Sequence, residues 1–235
     1  MIKPGKSVTL VCVDTVSVLR SVPAFARALS CMRVERALFF HDRRERGFSL
    51  PGVEFIPLAG IKDKEGENAF HVRDLWRYVT TERVWTVEWD SWVVRPEAWE
   101  EGFLECDVIG APWAFGGAHN VGNSGFSLRS RRFVELTAEL QREYKGRFYP
   151  RDYKECVEFR TVFERRGIVY APQDVAARFS WERNELWPEY RGAFGCHDIK
   201  DWSGYLGGHW AAPGACQGAK RAVPARSFVF RRRDR

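Results

Sequence analysis

Apolar residues run without a polar break from Val8 to Val13, apart from Thr9, and the run ends on Asp14-Thr15. A short β-branched stretch of this kind is the pattern of a strand buried on both faces. An apolar segment at helical spacing follows, about Pro23 to Met32, with proline near its first turn. Ala37–Phe40 reads as a second strand ending at His41-Asp42, and Val53–Leu58 as a third after the turn Leu50-Pro51-Gly52. The polar stretch Lys62–Asn68 predicts a loop, Ala69–Tyr78 a helix, and Val84–Val87 a fourth strand. Strands alternating with helices predict a mostly parallel sheet with helices on both faces. In such sheets ligands bind beyond the carboxyl ends of the strands, where Asp14-Thr15, His41-Asp42 and Glu88-Trp89-Asp90 all fall.

The second half is less regular. Pro96–Leu104 predicts a short helix and Val108-Ile109 a short strand running into Gly110-Ala111-Pro112-Trp113. A glycine-rich loop, Gly116–Gly125, opens into the strand Phe126–Arg129. Helices are expected over about Arg131–Tyr144 and Tyr153–Arg166, where Phe133, Leu136 and Leu140, then Cys156, Phe159, Val162 and Phe163, recur at core-packing spacing. Ile168–Tyr170 predicts a short strand, and Pro172-Gln173-Asp174 the start of a helix. There is no internal repeat. Beyond Trp202 the periodicity fades into a Gly-, Ala- and Pro-rich end, so residues 1–205 are expected as one elaborated domain and 206–235 as an irregular tail.

Charge changes the picture only at that tail. The net charge of +6 resides in residues 220–235, which hold seven basic groups and one acid, and the rest of the chain is neutral. No nucleic-acid partner is therefore expected, and at most a peripheral membrane contact through the tail. No stretch reaches the roughly 20 apolar residues of a membrane helix, and the first residues lack a signal-peptide pattern, so the default expectation is a cytoplasmic protein. The six cysteines never form a Cys-x-x-Cys pair and are expected as reduced thiols, several of them buried. Cys196, His197, His209 and Cys216 do not have the spacing of a zinc site.

Glu88 and Asp90, one residue apart at the end of an apolar strand, share a face. Two readings stand: a hard divalent cation held between the carboxylates, or solvated acids paired with nearby arginines. The glycine loop lacks the Gly-x-x-x-x-Gly-Lys-Ser/Thr pattern of nucleotide-hydrolysing phosphate loops and reads either as a ligand-approaching backbone or as a hairpin connection. Asp174 in a first helical turn is either a functional carboxylate or a complement to the helix dipole. Asp14 and Thr15 read equally as nucleotide contacts or strand-end caps. Of the tryptophans, Trp113 beside Pro112 and the glycine loop is the one expected to face a site.

Taken in order, these motifs over about residues 7–200 resemble GT-A-type glycosyltransferases, in particular a bacterial family of sugar transferases formerly described as a domain of unknown function. The opening strand Val8–Thr15 resembles the family's nucleotide-binding strand, and Glu88-Trp89-Asp90 its acidic metal motif. Gly110–Trp113 with Asn120–Arg129 resembles the family's donor- and acceptor-facing loop, Pro172–Val175 the segment carrying its base, and Phe194–His197 its late histidine. The resemblance implies a Rossmann-like α/β fold and an Mn²⁺- or Mg²⁺-dependent, inverting transfer of a sugar from a nucleotide diphosphate sugar to a hydroxyl acceptor, such as a cell-surface glycan. It implies Asp174 as base and Asp90, His197 and Glu88 as metal ligands. Asp14, Thr15, Glu88, Asp90, Trp113, Asn123, Ser124 and Gly125 are the implied nucleotide-sugar contacts. Glu88 departs from the usual aspartate, and Gln173-Asp174 from the usual Glu-Asp pair. A catalytically degenerate sugar-nucleotide binder is the alternative. A nucleotidyltransferase is a more distant one, since Asp14–Val18 is not the Gly-rich basic loop it needs.

Overall fold

The computed structural model describes residues 1–16, 18–42, 50–144 and 146–198. The tail expected over 206–235, the boundary at 205, and His209 and Cys216 lie outside the described residues.

The first strands are those the hydrophobic runs predict: β1 (Val8–Asp14), β2 (Arg36–Asp42), β3 (Glu54–Leu58) and β4 (Arg83–Val87). They lie side by side in the order β3-β2-β1-β4, all parallel. This is the order of the nucleotide-binding half of a doubly wound sheet. β6 (Val108–Ile109) and β7 (Phe126–Ser130) complete six strands, with β7 running antiparallel to both β4 and β6. The α/β class and the mostly parallel sheet are thus what the molecule has.

Helices cover both faces. On one face, α1 (Val18–Cys31) places Phe25 against Phe39, and Trp85, Phe126, Phe179 and Phe194 pack ring to ring at 5.4–5.9 Å. On the other, Val11, Val13, Leu38 and Phe40 meet Phe70 of α2 (Lys64–Arg73) and Val134 of α3 (Arg131–Glu143). A third cluster joins Phe133 to Cys156, Phe163 and Tyr170. The five described cysteines are all buried and free, as expected of packing thiols.

Several boundaries differ from the sequence pattern, each for a local reason. α2 begins at Lys64, inside the stretch expected as a loop, because the Asp63 side chain accepts the Gly66 N–H at 2.8 Å and caps it. It ends at Arg73, and a 3₁₀ turn, Leu75–Tyr78, completes the span. Pro96–Leu104 is two 3₁₀ turns rather than one helix. The helix expected over Tyr153–Arg166 is broken into α4 (Arg151–Tyr153), a π turn at Lys154–Glu158 and α5 (Arg160–Arg165). Phe159 N–H reaches back five residues to Lys154 O (2.9 Å), and buried Glu155 pairs with buried Arg129 at 2.9 Å. Ile168–Tyr170 is reduced to a single bridge, Val108 to Tyr170. α6 (Gln173–Phe179) starts where Pro172 predicts. Among the described residues no helix is long and apolar enough to cross a membrane.

A second sheet has no counterpart in the sequence pattern. It consists of three two-residue strands, β5 (Trp92–Val93), β8 (Ser180–Trp181) and β9 (Gly195–Cys196), in the order β5-β9-β8. Two residues are too few to show a period of two.

Candidate metal centre

β4 ends at Val87, so Glu88 emerges at the carboxyl edge of the main sheet. β7 is antiparallel to β4 and its first residue, Phe126, pairs with Val87, which brings Gly125 to the same edge. Two bonds weld the two segments, Glu88 N–H (2.9 Å) and Ser91 Oγ (2.7 Å) both donating to Gly125 O, and Ser91 N–H donates to Glu88 O (3.1 Å) to close the turn between them. The small sheet then delivers the remaining groups. Asp90 precedes β5, His197 follows β9, and Glu182 follows β8.

One possible ligand atom each from Glu88, Asp90 and His197 lies within 4.8 Å of the others. Asp90 is buried, and its Oδ1 faces His197 Nε2 at 3.4 Å without a hydrogen bond. An orphaned buried carboxylate oxygen beside an imidazole nitrogen and a second carboxylate is a donor set that suits a divalent cation. Gly125 is what lets the imidazole in: a Cβ there would collide with His197 Nε2 and Cδ2. The glycine is thus explained by close approach to a site residue.

The other face of the imidazole is held from behind. Asn123, in a left-handed conformation at φ 70°, turns its Nδ2 to His197 Nδ1 (2.7 Å) and to Glu182 Oε2 (2.6 Å). Its Oδ1 accepts the Phe126 N–H at 3.1 Å. Glu182 Oε1 stands 3.7 Å from His197 Nδ1, and Oε2 accepts the Trp113 indole N–H at 3.3 Å. Trp113 is buried over Gly122, where a Cβ would strike its ring, and stacks on exposed Phe115 with centroids 4.8 Å apart. A carboxylate behind the outer nitrogen of a histidine is the usual way to fix the orientation of a metal-ligating ring.

Glu88 is shared with a lysine. Lys64 Nζ lies 3.3 Å from Glu88 Oε2 and 2.9 Å from Glu67 Oε2. Buried Glu67 in turn accepts Thr15 N–H (2.6 Å) and Thr15 Oγ1 (3.1 Å). Asp14 accepts the Val16 N–H at 3.0 Å and a bond from Ser21 Oγ. Asp14 and Thr15 therefore sit at the site's floor with bonds inside the protein, tying the end of β1 to Lys64. Ser124 contributes its carbonyl, which accepts from Ser127 Oγ (3.1 Å) and Arg151 (3.4 Å).

Charge balance follows this geometry. Burial pushes the His197 pKa down, but the nearby carboxylates of Glu182, Asp90 and Glu88 outweigh it and raise the value to about 9. Burial opposes ionisation of Glu88 as well, yet Lys64, His197 and Arg151 hold it below the usual carboxylate range. Glu182 is likewise lowered, against burial, by the nearby charge of His197 and by the bonds it accepts from Asn123 and Trp113. Asp90 is raised, chiefly by burial. An imidazolium and an ammonium thus stand among four carboxylates, those of Glu67, Glu88, Asp90 and Glu182.

Asp174 is not brought to this cluster. Its exposed carboxylate is 3.1 Å from Arg178 Nη1, one turn along α6, and Arg178 also holds Glu100 at 2.8 Å. The carboxylate that does reach the histidine is Glu182, and the cation at Glu88 is Lys64. Neither carries a local signal. Glu182 is one acid in a Trp- and Glu-rich run, and Lys64 falls in a stretch whose polarity suggests a loop.

The fold and site define an α/β protein with an acid–histidine cluster at the carboxyl edge of its sheet. The chain belongs to the family described as "Protein of unknown function (DUF5672)", whose model matches residues 52–197. No curated protein matches it. Similar solved structures include a mannosyltransferase from Pyrobaculum calidifontis in complex with GDP-Man and Mn²⁺ (9% identity, 72% of this chain and 55% of that one, TM-score 0.46). Others are the apo-form glycosyltransferase GlyE of Streptococcus pneumoniae TIGR4 (11%, 72% and 46%, 0.42) and a glycosyltransferase involved in glycosylating the major capsid of PBCV-1 (12%, 83% and 94%, 0.49). The chain spans about half the length of the first two. At such identities and scores, what this chain does has to be read from its own residues.

Proposed function

We propose that the chain is a metal-dependent glycosyltransferase that moves a sugar from a nucleotide diphosphate sugar to a hydroxyl acceptor. The observation that carries this reading is the Glu88–Asp90–His197 cluster, with the orphaned Asp90 oxygen facing a histidine for which Gly125 leaves room. Asp90 and His197 would hold Mn²⁺ or Mg²⁺, whose role is to neutralise charge developing on the departing nucleoside diphosphate. Glu88, now paired with Lys64 at 3.3 Å, would complete the set. Lys64, about two-fifths exposed, would be a cation for the donor's phosphates. Asn123 and Glu182 keep the imidazole aimed at Asp90. Ser124 and Gly125 form the backbone edge along which the donor lies, with Trp113 behind it and Asp14 and Thr15 beneath.

In the transfer the acceptor hydroxyl forms a bond to the anomeric carbon, the bond to the diphosphate breaks with its electron pair going to the nucleoside diphosphate, and the hydroxyl proton passes to water. The motif order implies inversion with Asp174 as base; the Asp174 carboxylate is exposed and pairs with Arg178 at 3.1 Å, outside the acid–histidine cluster. The test is nucleotide release from a panel of nucleotide diphosphate sugars with Mn²⁺. Turnover with at least one donor, lost in Asp90→Ala, supports the enzyme. Donor binding without release from any of them identifies a sugar-nucleotide binder instead.

A further inference from the structure

Trp181 and Glu182 are neighbours on an extended segment, so their side chains leave on opposite sides. Glu182 reaches the metal centre. Trp181 instead lines a separate cavity of about 500 Å³ between α6, the 3₁₀ turn at Pro96–Ala98 and the segment before β9. Trp99 and Trp187 share its wall, all three indoles being half-buried. Glu97, Glu100, Asp174, Arg178, Glu189 and Arg191 form its polar side.

The chemistry of this wall is selective. Four carboxylates, Glu97, Glu100, Asp174 and Glu189, outnumber the two arginines of the wall, Arg178 and Arg191, and Arg178 is already held by Glu100 and Asp174, so a phosphorylated ligand would meet a net negative surface. What remains is a set of hydrogen-bond acceptors beside flat apolar rings, with Trp99 Nε1 donating to Glu101 (2.8 Å) and Trp181 Nε1 to Trp187 O (3.0 Å) so that both rings are fixed in place. A ligand that fits must be neutral, rich in hydroxyls that both donate and accept, and flat enough on one face to lie on an indole. A sugar ring meets all three conditions, and the volume lies within the roughly 300–1,000 Å³ of small-molecule sites.

We propose that this cavity is a carbohydrate-binding cleft, taking one or two neutral sugar rings, distinct from the metal centre. It gives Asp174 a role as a hydroxyl acceptor on the cleft wall. The assignment stands on the cavity alone and does not depend on sugar transfer at the cluster.

The test is a titration of the full chain, in EDTA so that the metal centre plays no part, with the methyl glycosides of glucose, galactose, mannose and N-acetylglucosamine. Saturation-transfer NMR and tryptophan fluorescence report binding. At least one glycoside is expected to bind saturably. Trp187→Ala, which removes a ring from the wall, and Asp174→Asn are each expected to weaken it about tenfold, the worth of one ring contact or one hydrogen bond. Asp90→Ala is expected to bind as the parent does. Thermal melting confirms that each variant is folded. Absence of saturable binding for all four glycosides overturns the proposal. So does binding that is unchanged in both cleft variants, or binding lost in Asp90→Ala.

Discussion

His197 is the residue on which the metal centre turns, and it is fixed from both sides. Asn123 and Glu182 hold Nδ1 while Gly125 gives Nε2 its space. Glu182→Gln is expected to weaken Mn²⁺ binding about 10–100-fold, the usual cost of losing a partner behind a metal ligand, without unfolding the protein. Titration followed by the electron paramagnetic resonance of free Mn²⁺ reads this directly, and an unchanged affinity would show that Glu182 only packs. The same histidine sets a pH dependence. Its folded value of about 9 lies above the ordinary 6.5, so its stabilisation is complete below about pH 6.5 and is lost as pH rises through 9. In metal-free protein this amounts to about 3 kcal/mol, measurable by urea unfolding across that range, and His197→Gln should flatten the dependence. At this scale the sequence was informative where chemistry is local. The Glu88–Asp90 spacing and a late histidine were legible, while Glu182 and Lys64 reach the site only through contacts 59 and 24 residues away in the chain.

Elements are short here, and their ends carry function. α2 starts early because Asp63 caps it, and that cap is what places Lys64 in its first turn beside Glu88. Asp63→Ala is expected to cost about 1 kcal/mol in chemical denaturation, the ordinary worth of a cap, and to loosen Lys64 from Glu88. The π turn at Lys154–Glu158 is the second case. It interrupts a segment whose apolar spacing predicts one continuous helix, and accompanies the burial of Glu155 against Arg129 at 2.9 Å. Removing one partner of such a pair strands the other, so Glu155→Ala should destabilise by about 3–5 kcal/mol, whereas an exposed pair such as Arg131–Glu135 should cost under 1 kcal/mol. Equal losses at the two sites would contradict the burial argument. Neither the cap nor the π turn could be read from apolar periodicity, because each is decided by one polar contact.

For the molecule as a whole, the long runs were legible and the short ones were not. Strands of five to seven residues declare themselves by composition, and four of them predicted the parallel half of the sheet. The two-residue strands β5, β8 and β9 carry no such signal, yet they converge Asp90, Glu182 and His197 on one point and turn Trp181 toward the opposite side. The central claim is that this convergence makes a metal site for a nucleotide diphosphate. Calorimetry with UDP and GDP, each with and without Mn²⁺, on the parent chain and on Asp90→Ala tests it most directly. Binding of at least one nucleotide that requires Mn²⁺ and vanishes in Asp90→Ala is the predicted result. Binding that is the same in all conditions, or absent from all of them, contradicts it.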